Sequence, residues 1–181
     1  MQKTKDLRIV GTIARFKPVH KNHASMLISI CKRVKHVYIG LGSVNCYDMK
    51  NPFTAKESAD MVRLVLKDFS NYSFIEVPDF WDGPKWRGYM LKSFGKLSHF
   101  VVANEYVVNL LQNDYNIIHP SLLVPKEKMI NVNATMVRIA MAKGEHWEHL
   151  VPKEVSDYIK QNQLDKRFRK EFGKETLKFT W

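Results

Sequence analysis

Short apolar runs alternate along this chain with segments of helical periodicity. The runs are rich in β-branched residues and are bounded by turn-forming residues, which is typical of buried strands. Five such runs occur, at residues 7–13, 36–43, 72–78, 98–104 and 115–120. Helical spacing of apolar residues occurs at 21–34, 54–69, 105–112, 133–143 and 152–161. Strands alternating with helices predict an α/β fold, an open parallel sheet with helices on both faces.

The length and composition fit one domain. The chain has 181 residues, of which 45% are apolar and 26% are charged, enough apolar material for a sizeable core. No repeat, low-complexity stretch or linker divides it. We therefore predict a single domain over residues 1–181, with a core over about 7–159 and a basic, helical C-terminal extension over 160–181.

The charge balance favours anionic partners. The chain has 29 Lys and Arg against 18 Asp and Glu, a formal net charge of +11. Such a surplus attracts both nucleic acid and phosphorylated small molecules. The extension contains Lys166, Arg167, Arg169, Lys170, Lys174 and Lys178. We expect a solvated helix there rather than a dedicated binding element. Composition alone leaves open an enzyme of phosphate chemistry and a nucleic-acid binder.

The loop after the first strand carries candidate phosphate ligands. It leads from the end of that strand into a predicted helix, and free N–H groups and the helix dipole favour an anion at such a place. The loop matches neither the Walker A pattern nor Gly-x-Gly-x-x-Gly. It offers instead His20 and His23, three residues apart on one helix face, with Arg15 and Lys17 before them. This set can stabilise charge on a transferring phosphoryl group without an enzyme nucleophile.

A second candidate phosphate clamp lies at the predicted helix 133–143. Asn133 is a candidate N-cap, and Thr135 and Arg138 follow within the first turns. A hydroxyl, free N–H groups and a guanidinium together can bind phosphate. Caps of this kind also begin many ordinary helices.

Five segments of the chain, in order, resemble one known family. They are ARFKPVHKNH, IGLGSVN, NPFTAKE, VPDFWDGPKW and NATMVRIAMAKGEHWEHLVPKEV. They are similar to the phosphate loop, second-strand end, following helix, Val-Pro-Asp segment and clamp helix of the archaeal-type nicotinamide-mononucleotide adenylyltransferases. That family belongs to the His-x-Gly-His nucleotidyltransferase superfamily, and the similarity extends over about residues 7–159.

The resemblance implies a Rossmann-like fold and an activity. The expected reaction is adenylyl transfer from ATP to nicotinamide mononucleotide, which gives NAD and pyrophosphate with Mg²⁺ present. His20, His23 and Arg138 would be the catalytic residues. The ATP-binding residues would be Arg15, Phe16, Lys17, Asn133, Thr135 and Arg138. Asp79 and Trp86 would bind the acceptor, with Trp86 stacked on the cationic nicotinamide ring. The family also implies a homo-oligomer.

The chain departs from the family pattern at several positions. Asn22 stands where the family has glycine, Lys17 where it has glutamine, and Asn133 with Ala134 where it has Ser-Gly. A different phosphorylated acceptor is therefore an open alternative. So is a non-catalytic relative that binds a nucleotide or RNA, although nucleic acid is not the favoured partner. Steep loss of binding with added salt would identify the RNA binder.

Other features predict the cell compartment and the metal content. The apolar run near the N-terminus is too short to cross a bilayer, and no signal-peptide cleavage site follows it. Cys31 and Cys46 form no CxxC pair and are expected to be reduced thiols. These features predict a cytoplasmic protein without a membrane partner. His146 and His149 have metal-ligand spacing but no evident third ligand, so no protein-held metal is predicted.

Overall fold

The sheet contains five parallel strands. The structure is a computed structural model, and it describes residues 8–179. The strands are β1 (Ile9–Ala14), β2 (His36–Gly42), β3 (Tyr72–Val77), β4 (His99–Val101) and β5 (Ile117–Ile118). Their order in the sheet is β3-β2-β1-β4-β5. The predicted parallel sheet is therefore confirmed. Leu7, at the predicted start of the first strand, and residues 180–181 of the extension lie outside the described residues.

Helices connect the strands and follow them. They are α1 (Lys21–Cys31), α2 (Ala55–Val65), α3 (Gly83–Phe94), α4 (Glu105–Leu111), α5 (Ala134–Lys143), α6 (Lys153–Gln161) and α7 (Leu164–Lys178). Three short 3₁₀ turns lie at Pro120–Leu122, Lys126–Lys128 and Glu148–Leu150. Within residues 8–179, no helix is both long and apolar enough to cross a membrane.

Apolar side chains pack on both faces of the sheet. Alternate residues of a strand face opposite sides, so Val37 and Ile39 of β2 join one buried cluster while Tyr38 packs against another. The first cluster includes residues of α1, α2, α5, α6 and α7. The second includes residues of α3 and α4. Helices thus cover both faces, as the α/β prediction requires.

The helix α3 was not expected from the sequence. The run Asp82, Gly83 and Pro84 is typical of a loop, but here it begins this helix. The Asp82 side chain is the N-cap and accepts a hydrogen bond from the Lys85 backbone N–H at 2.9 Å. Proline is tolerated in the first turn because its missing N–H would have no helical partner there. Trp86 is therefore held on a helix rather than in a loop.

The C-terminal helix α7 is packed rather than solvated. Its helical state was predicted, but Leu164 and Phe168 are 4% and 1% exposed and belong to the first cluster. Arg167 donates two hydrogen bonds to the Glu57 carboxylate, at 2.6 and 2.8 Å. The Arg169 Nε donates to the Met141 carbonyl at 2.9 Å. The expectation of a solvated extension is wrong for this face, because buried apolar residues and two arginines fix it to α2 and α5.

We expect the Phe168→Ala substitution to destabilise the whole protein. It would remove a ring that is 1% exposed, and such large-to-small changes cost about 3–5 kcal/mol. Urea unfolding followed by circular dichroism measures the loss. The matched control is Lys170→Ala, on an exposed position of the same helix, which should change stability by no more than about 0.5 kcal/mol. Equal, small effects of both substitutions would contradict packing of α7 into the core.

Candidate active site

A cavity of about 610 Å³ opens at the carboxyl ends of the strands, where the strand order reverses. The strand order runs outward from β1 to β2 and β3 on one side and to β4 and β5 on the other. The loops after β1 and β4 therefore diverge, and ligands of open α/β sheets bind in the crevice between such loops. The cavity wall includes the ends of β1 and β2 and the first residues of α1, α3, α4 and α5.

All ten residues predicted for the site line this one cavity. They are Arg15, Phe16, Lys17, His20, His23, Asp79, Trp86, Asn133, Thr135 and Arg138. They come from the β1–α1 loop, the β3–α3 segment and the first turns of α5, which are distant in sequence. The structure brings them together, while their individual roles stay predictions. Asn22, the residue in place of the family glycine, is exposed and is not among the cavity-lining residues.

His20 and His23 form a stacked pair at the beginning of α1. Their ring centroids are 3.6 Å apart with an interplanar angle of 24°. His20 is the N-cap of the helix, and its Nδ1 accepts a hydrogen bond from the His23 backbone N–H at 3.4 Å. Because Nδ1 is an acceptor, a neutral His20 carries its proton on Nε2. The free donor of this histidine is thus Nε2–H.

Both imidazoles are neutral at physiological pH. Burial, and secondly the charge of Arg138, lower the pKa of His20 to about 4. Burial, and secondly His20, lower the pKa of His23 well below its ordinary value. The charged form of a buried imidazole loses its hydration, so the neutral form is favoured. The pair therefore presents hydrogen-bond donors rather than cations to a phosphate.

Two buried cations lie beside the histidines. Arg138 is 4% exposed, and burial lowers its pKa to about 10, so it stays charged at neutral pH. One of its nitrogens donates to the Lys17 carbonyl at 2.9 Å and another to the Thr135 hydroxyl at 3.2 Å. Lys17 is 1% exposed, and its Nζ donates to the Ser43 carbonyl at 2.7 Å. The sequence indicated both cations but not that they are buried.

The helices α1 and α5 both begin next to these cations, but their caps differ. His20 caps α1 with an imidazole nitrogen, and Asn133 caps α5 with an amide oxygen. The Asn133 Oδ1 accepts a hydrogen bond from the Met136 backbone N–H at 2.9 Å.

Phe16 has a left-handed backbone, with a φ of 54°, and its buried ring packs against the His23 ring at a centroid distance of 4.9 Å. The left-handed turn at Phe16 sends the chain from the strand into the cap at His20. Arg15, just before it, is exposed.

The other wall of the cavity is aromatic and carries the two predicted acceptor residues. Trp86, in the first turn of α3, is partly buried and packs against the second cluster. The backbone of Asp79 exchanges two hydrogen bonds with the Asn45 side chain, at 2.8 and 2.9 Å. Asp79 is therefore fixed at the beginning of the segment that leads to Trp86.

Several cavity residues were not identified from the sequence. They are Ile13, Ala14, Gly42, Ser43, Lys50, Phe80, Trp81, Asp82, Asn104, Tyr106 and Val107. Trp81 is 84% exposed and has a left-handed φ of 52°, and Tyr106 at the beginning of α4 is 63% exposed. The topology of the sheet predicts their general position, because the segments that follow parallel strands meet at one edge of the sheet. Nothing local in these segments marks them as ligand residues.

Comparison with known proteins identifies the family. The chain is 32% identical over 164 residues to the nicotinamide-nucleotide adenylyltransferase of Pyrococcus furiosus, covering 87% of this chain and 85% of that protein. The Pyrococcus horikoshii enzyme of the same name is 32% identical over 162 residues, with the same coverage. The chain belongs to the nicotinamide-nucleotide adenylyltransferase family. The resemblance seen in the sequence is thereby confirmed. The Methanococcus maripaludis adenylyltransferase is 28% identical over 170 residues, covering 90% of this chain and 97% of that protein.

Solved structures support the fold of this adenylyltransferase family member. A bifunctional NMN adenylyltransferase/ADP ribose pyrophosphatase from Francisella tularensis, complexed with AMP and a manganese ion, matches with a TM-score of 0.71. The match covers 91% of this chain and 52% of that protein, so the chain spans about half of its length. At 20% identity the match shows a shared Rossmann-like fold. No family model matches the chain.

We expect the stability of this protein to fall as pH decreases below 6.5. The pKa of His20 is about 4 when folded and about 6.5 when unfolded. The unfolded chain thus binds the proton first, and stability is lost as pH falls. His20 alone should account for about 2 kcal/mol between pH 7.5 and pH 5. His23 acts in the same direction.

The control is His20→Asn, which keeps an N-cap acceptor and removes the titrating ring. Urea unfolding of both proteins at pH 7.5, 6 and 5 gives the dependence. The variant should lose less stability than the wild type over this range. Parallel pH profiles of the two proteins would show that His20 is not buried in its neutral form.

Proposed function

We propose that this chain transfers the adenylyl group of ATP to nicotinamide mononucleotide, which gives NAD and pyrophosphate. The observation that carries the proposal is the convergence at one cavity of the His20–His23 pair, the Arg138–Thr135 clamp and the aromatic wall with Trp86. The relatives named above are nicotinamide-nucleotide adenylyltransferases. The cavity combines a place for a triphosphate with a place for an aromatic ring.

The phosphates of ATP would bind between the beginnings of α1 and α5. Arg15 and Arg138 would bind the β- and γ-phosphates, and Thr135 would donate its hydroxyl. Free backbone N–H groups after the caps His20 and Asn133 add further donors. Phe16 and Lys17 would contribute backbone to this wall, since Phe16 is buried and the Lys17 ammonium is hydrogen-bonded to a protein carbonyl.

The reaction needs no nucleophile from the protein. A phosphate oxygen of the acceptor would attack the α-phosphorus of ATP, and the bond to the bridging oxygen would break, so that pyrophosphate leaves with the electron pair. Negative charge accumulates on the oxygens around that phosphorus. The neutral His20 would donate its Nε2–H to one of them, with the stacked His23 holding the ring. Preorganised donors of this kind typically lower the barrier by a few kcal/mol.

The acceptor would bind at the aromatic wall. The nicotinamide ring of the mononucleotide is cationic and is attracted to the face of an indole. Trp86 would provide that face, because its helix position fixes the ring. Asp79 would contact the acceptor at the opposite end of the same segment. Exposed Trp81 and Tyr106 are further aromatic residues at this wall.

The divalent metal of the reaction would arrive with the nucleotide. Within residues 8–179 there is no group of three His, Cys, Asp or Glu side chains that could hold a metal ion. The cavity contributes two carboxylates, those of Asp79 and Asp82. This donor set fits Mg²⁺, which is commonly bound by substrate phosphates and one or two carboxylates. When bound, Mg²⁺ would neutralise phosphate charge.

Two further parts of the proposal concern the cellular setting. Cytoplasmic location remains a prediction, supported by the free thiols of Cys31 and Cys46. A homo-oligomer also stays a prediction that follows from the family. Another phosphorylated acceptor would be revealed by the assay below when it replaces nicotinamide mononucleotide, and RNA binding by its steep loss with added salt.

The proposal is tested by a pyrophosphate-release assay with ATP and Mg²⁺, in which nicotinamide mononucleotide is present or omitted. We expect release only when the acceptor is present, with one NAD formed per pyrophosphate, and loss of both with excess EDTA. Release with a different phosphorylated acceptor but not with this one would overturn the assignment of the acceptor. Binding of ATP without release under any of these conditions would indicate a non-catalytic relative.

The His20→Asn substitution should lower kcat by about 10²–10³-fold, because it removes a donor to the transition state. Asparagine keeps the N-cap acceptor, so the melting temperature at pH 7.5 should stay close to that of the wild type. His20→Ala removes both functions and should also destabilise α1 by about 0.5–2 kcal/mol. Steady-state kinetics and thermal melts separate the two effects. Full activity of the asparagine variant would exclude His20 as a catalytic residue.

A further inference from the structure

The ammonium of Lys17 is hydrogen-bonded within the protein. Its Nζ donates to the Ser43 carbonyl at 2.7 Å and to the Cys46 carbonyl at 3.4 Å. The side chain is 1% exposed, and burial lowers the pKa of Lys17. A buried cation is costly unless its donors are satisfied. The two carbonyls satisfy most of its donors, and both belong to the loop that follows β2.

That loop holds the beginning of the acceptor segment. Asn45, between the two carbonyls, donates to the Asp79 carbonyl at 2.9 Å and accepts from the Asp79 backbone N–H at 2.8 Å. The Cys46 thiol donates to the Asp79 carboxylate at 3.4 Å. Asp79 is thus held at three points, by Cys46, which Lys17 also contacts, and by Asn45, which lies next to it in the chain.

We infer that Lys17 is a positioning residue for acceptor binding, acting through Asn45 and Cys46 on Asp79 and the segment that leads to Trp86. This inference rests on the proposed function. It replaces the sequence-based expectation that the Lys17 ammonium binds ATP. The family has glutamine at this position, whose neutral and shorter side chain cannot form the same charged contact with two carbonyls.

On the ATP side of the cavity, the backbone carbonyl of Lys17 makes the contact rather than its ammonium. Arg138 donates to the backbone carbonyl of Lys17, which every side-chain substitution retains. Arg138 also contacts Thr135 on its own helix. Removing the ammonium should therefore loosen the β2–α2 loop and the acceptor segment while leaving the clamp on α5 in place. A direct ATP contact by the ammonium predicts the opposite pattern.

The first test is Lys17→Met, which keeps an unbranched apolar stem and removes the ammonium. We expect KM for nicotinamide mononucleotide to rise at least tenfold and KM for ATP to change less than twofold. Lys67→Met is the matched control, because it removes the same charge from an exposed position outside the cavity and should change neither constant. Trp86→Ala, at the proposed acceptor contact, gives the pattern for comparison.

Asn45→Ala tests the same path without emptying a buried site, since Asn45 is exposed. It should show the same selective rise in acceptor KM, and it carries the test should the Lys17 variant fail to fold. Asn45→Ala removes two of the three hydrogen bonds to Asp79 and leaves that of the Cys46 thiol. In this background Lys17→Met should therefore raise the acceptor KM by a smaller factor than it does in the wild type. A rise in KM for ATP on Lys17→Met in either background would overturn the inference.

The same comparison is made by calorimetric titration with nicotinamide mononucleotide and with a non-hydrolysable ATP analogue, which does not require turnover. If the wild type makes no NAD, the proposed function fails, but a selective loss of mononucleotide binding in both variants still supports the positioning path. If the wild type makes NAD and the Lys17 variant weakens both ligands equally, the positioning role alone is wrong.

Discussion

A buried hydrogen bond from Arg138 to the Lys17 carbonyl joins two parts of the chain that are 121 positions apart. It ties the loop after β1 to the helix α5, and the cavity lies between these elements. Both side chains are almost fully buried, so each cation depends on carbonyl and hydroxyl dipoles for its solvation. Burial, and secondly the charge of Arg138, lower the pKa of His20. The guanidinium that is suited to attract phosphate thus helps to keep the adjacent imidazole neutral.

The topology explains why these groups meet. The sheet order reverses at β1, and the carboxyl ends of β1 to β4 face one crevice. Four helices begin there, and each has a side-chain N-cap, from His20, Asp82, Asn104 or Asn133. Capping leaves other backbone N–H groups of the first turns without helical partners. The positive ends of the helix dipoles therefore add to the side-chain cations at the same crevice.

The parts that sequence could predict are those with a local signal. Runs rich in β-branched residues predict the strands, and Thr54 with Glu57 three residues later is a capping-box pattern, which the structure forms at the beginning of α2. The helix α3 was missed because Asp82, Gly83 and Pro84 are typical of both a turn and a capped helix start. The packing of α7 was missed because its basic residues suggested solvent, whereas Phe168 and Leu164 are on a buried face. Trp81 and Tyr106 line the cavity because the order of the strands brings their segments to it. Local sequence patterns do not encode that order.

The remaining electrostatics follow from how the cations are arranged. Burial lowers the pKa of Arg138, and the nearby charge of Arg15 lowers it further. Burial also lowers the pKa of Lys17, and the charge of Arg15 acts in the same direction. Among residues 8–179 none of these three cations forms a salt bridge with a carboxylate. An anion bound beside Arg138 would offset the repulsion from Arg15 and raise the pKa of Arg138. Phosphate binding and stability are therefore linked at Arg138, because the same repulsion opposes both the fold and the protonated state of its guanidinium.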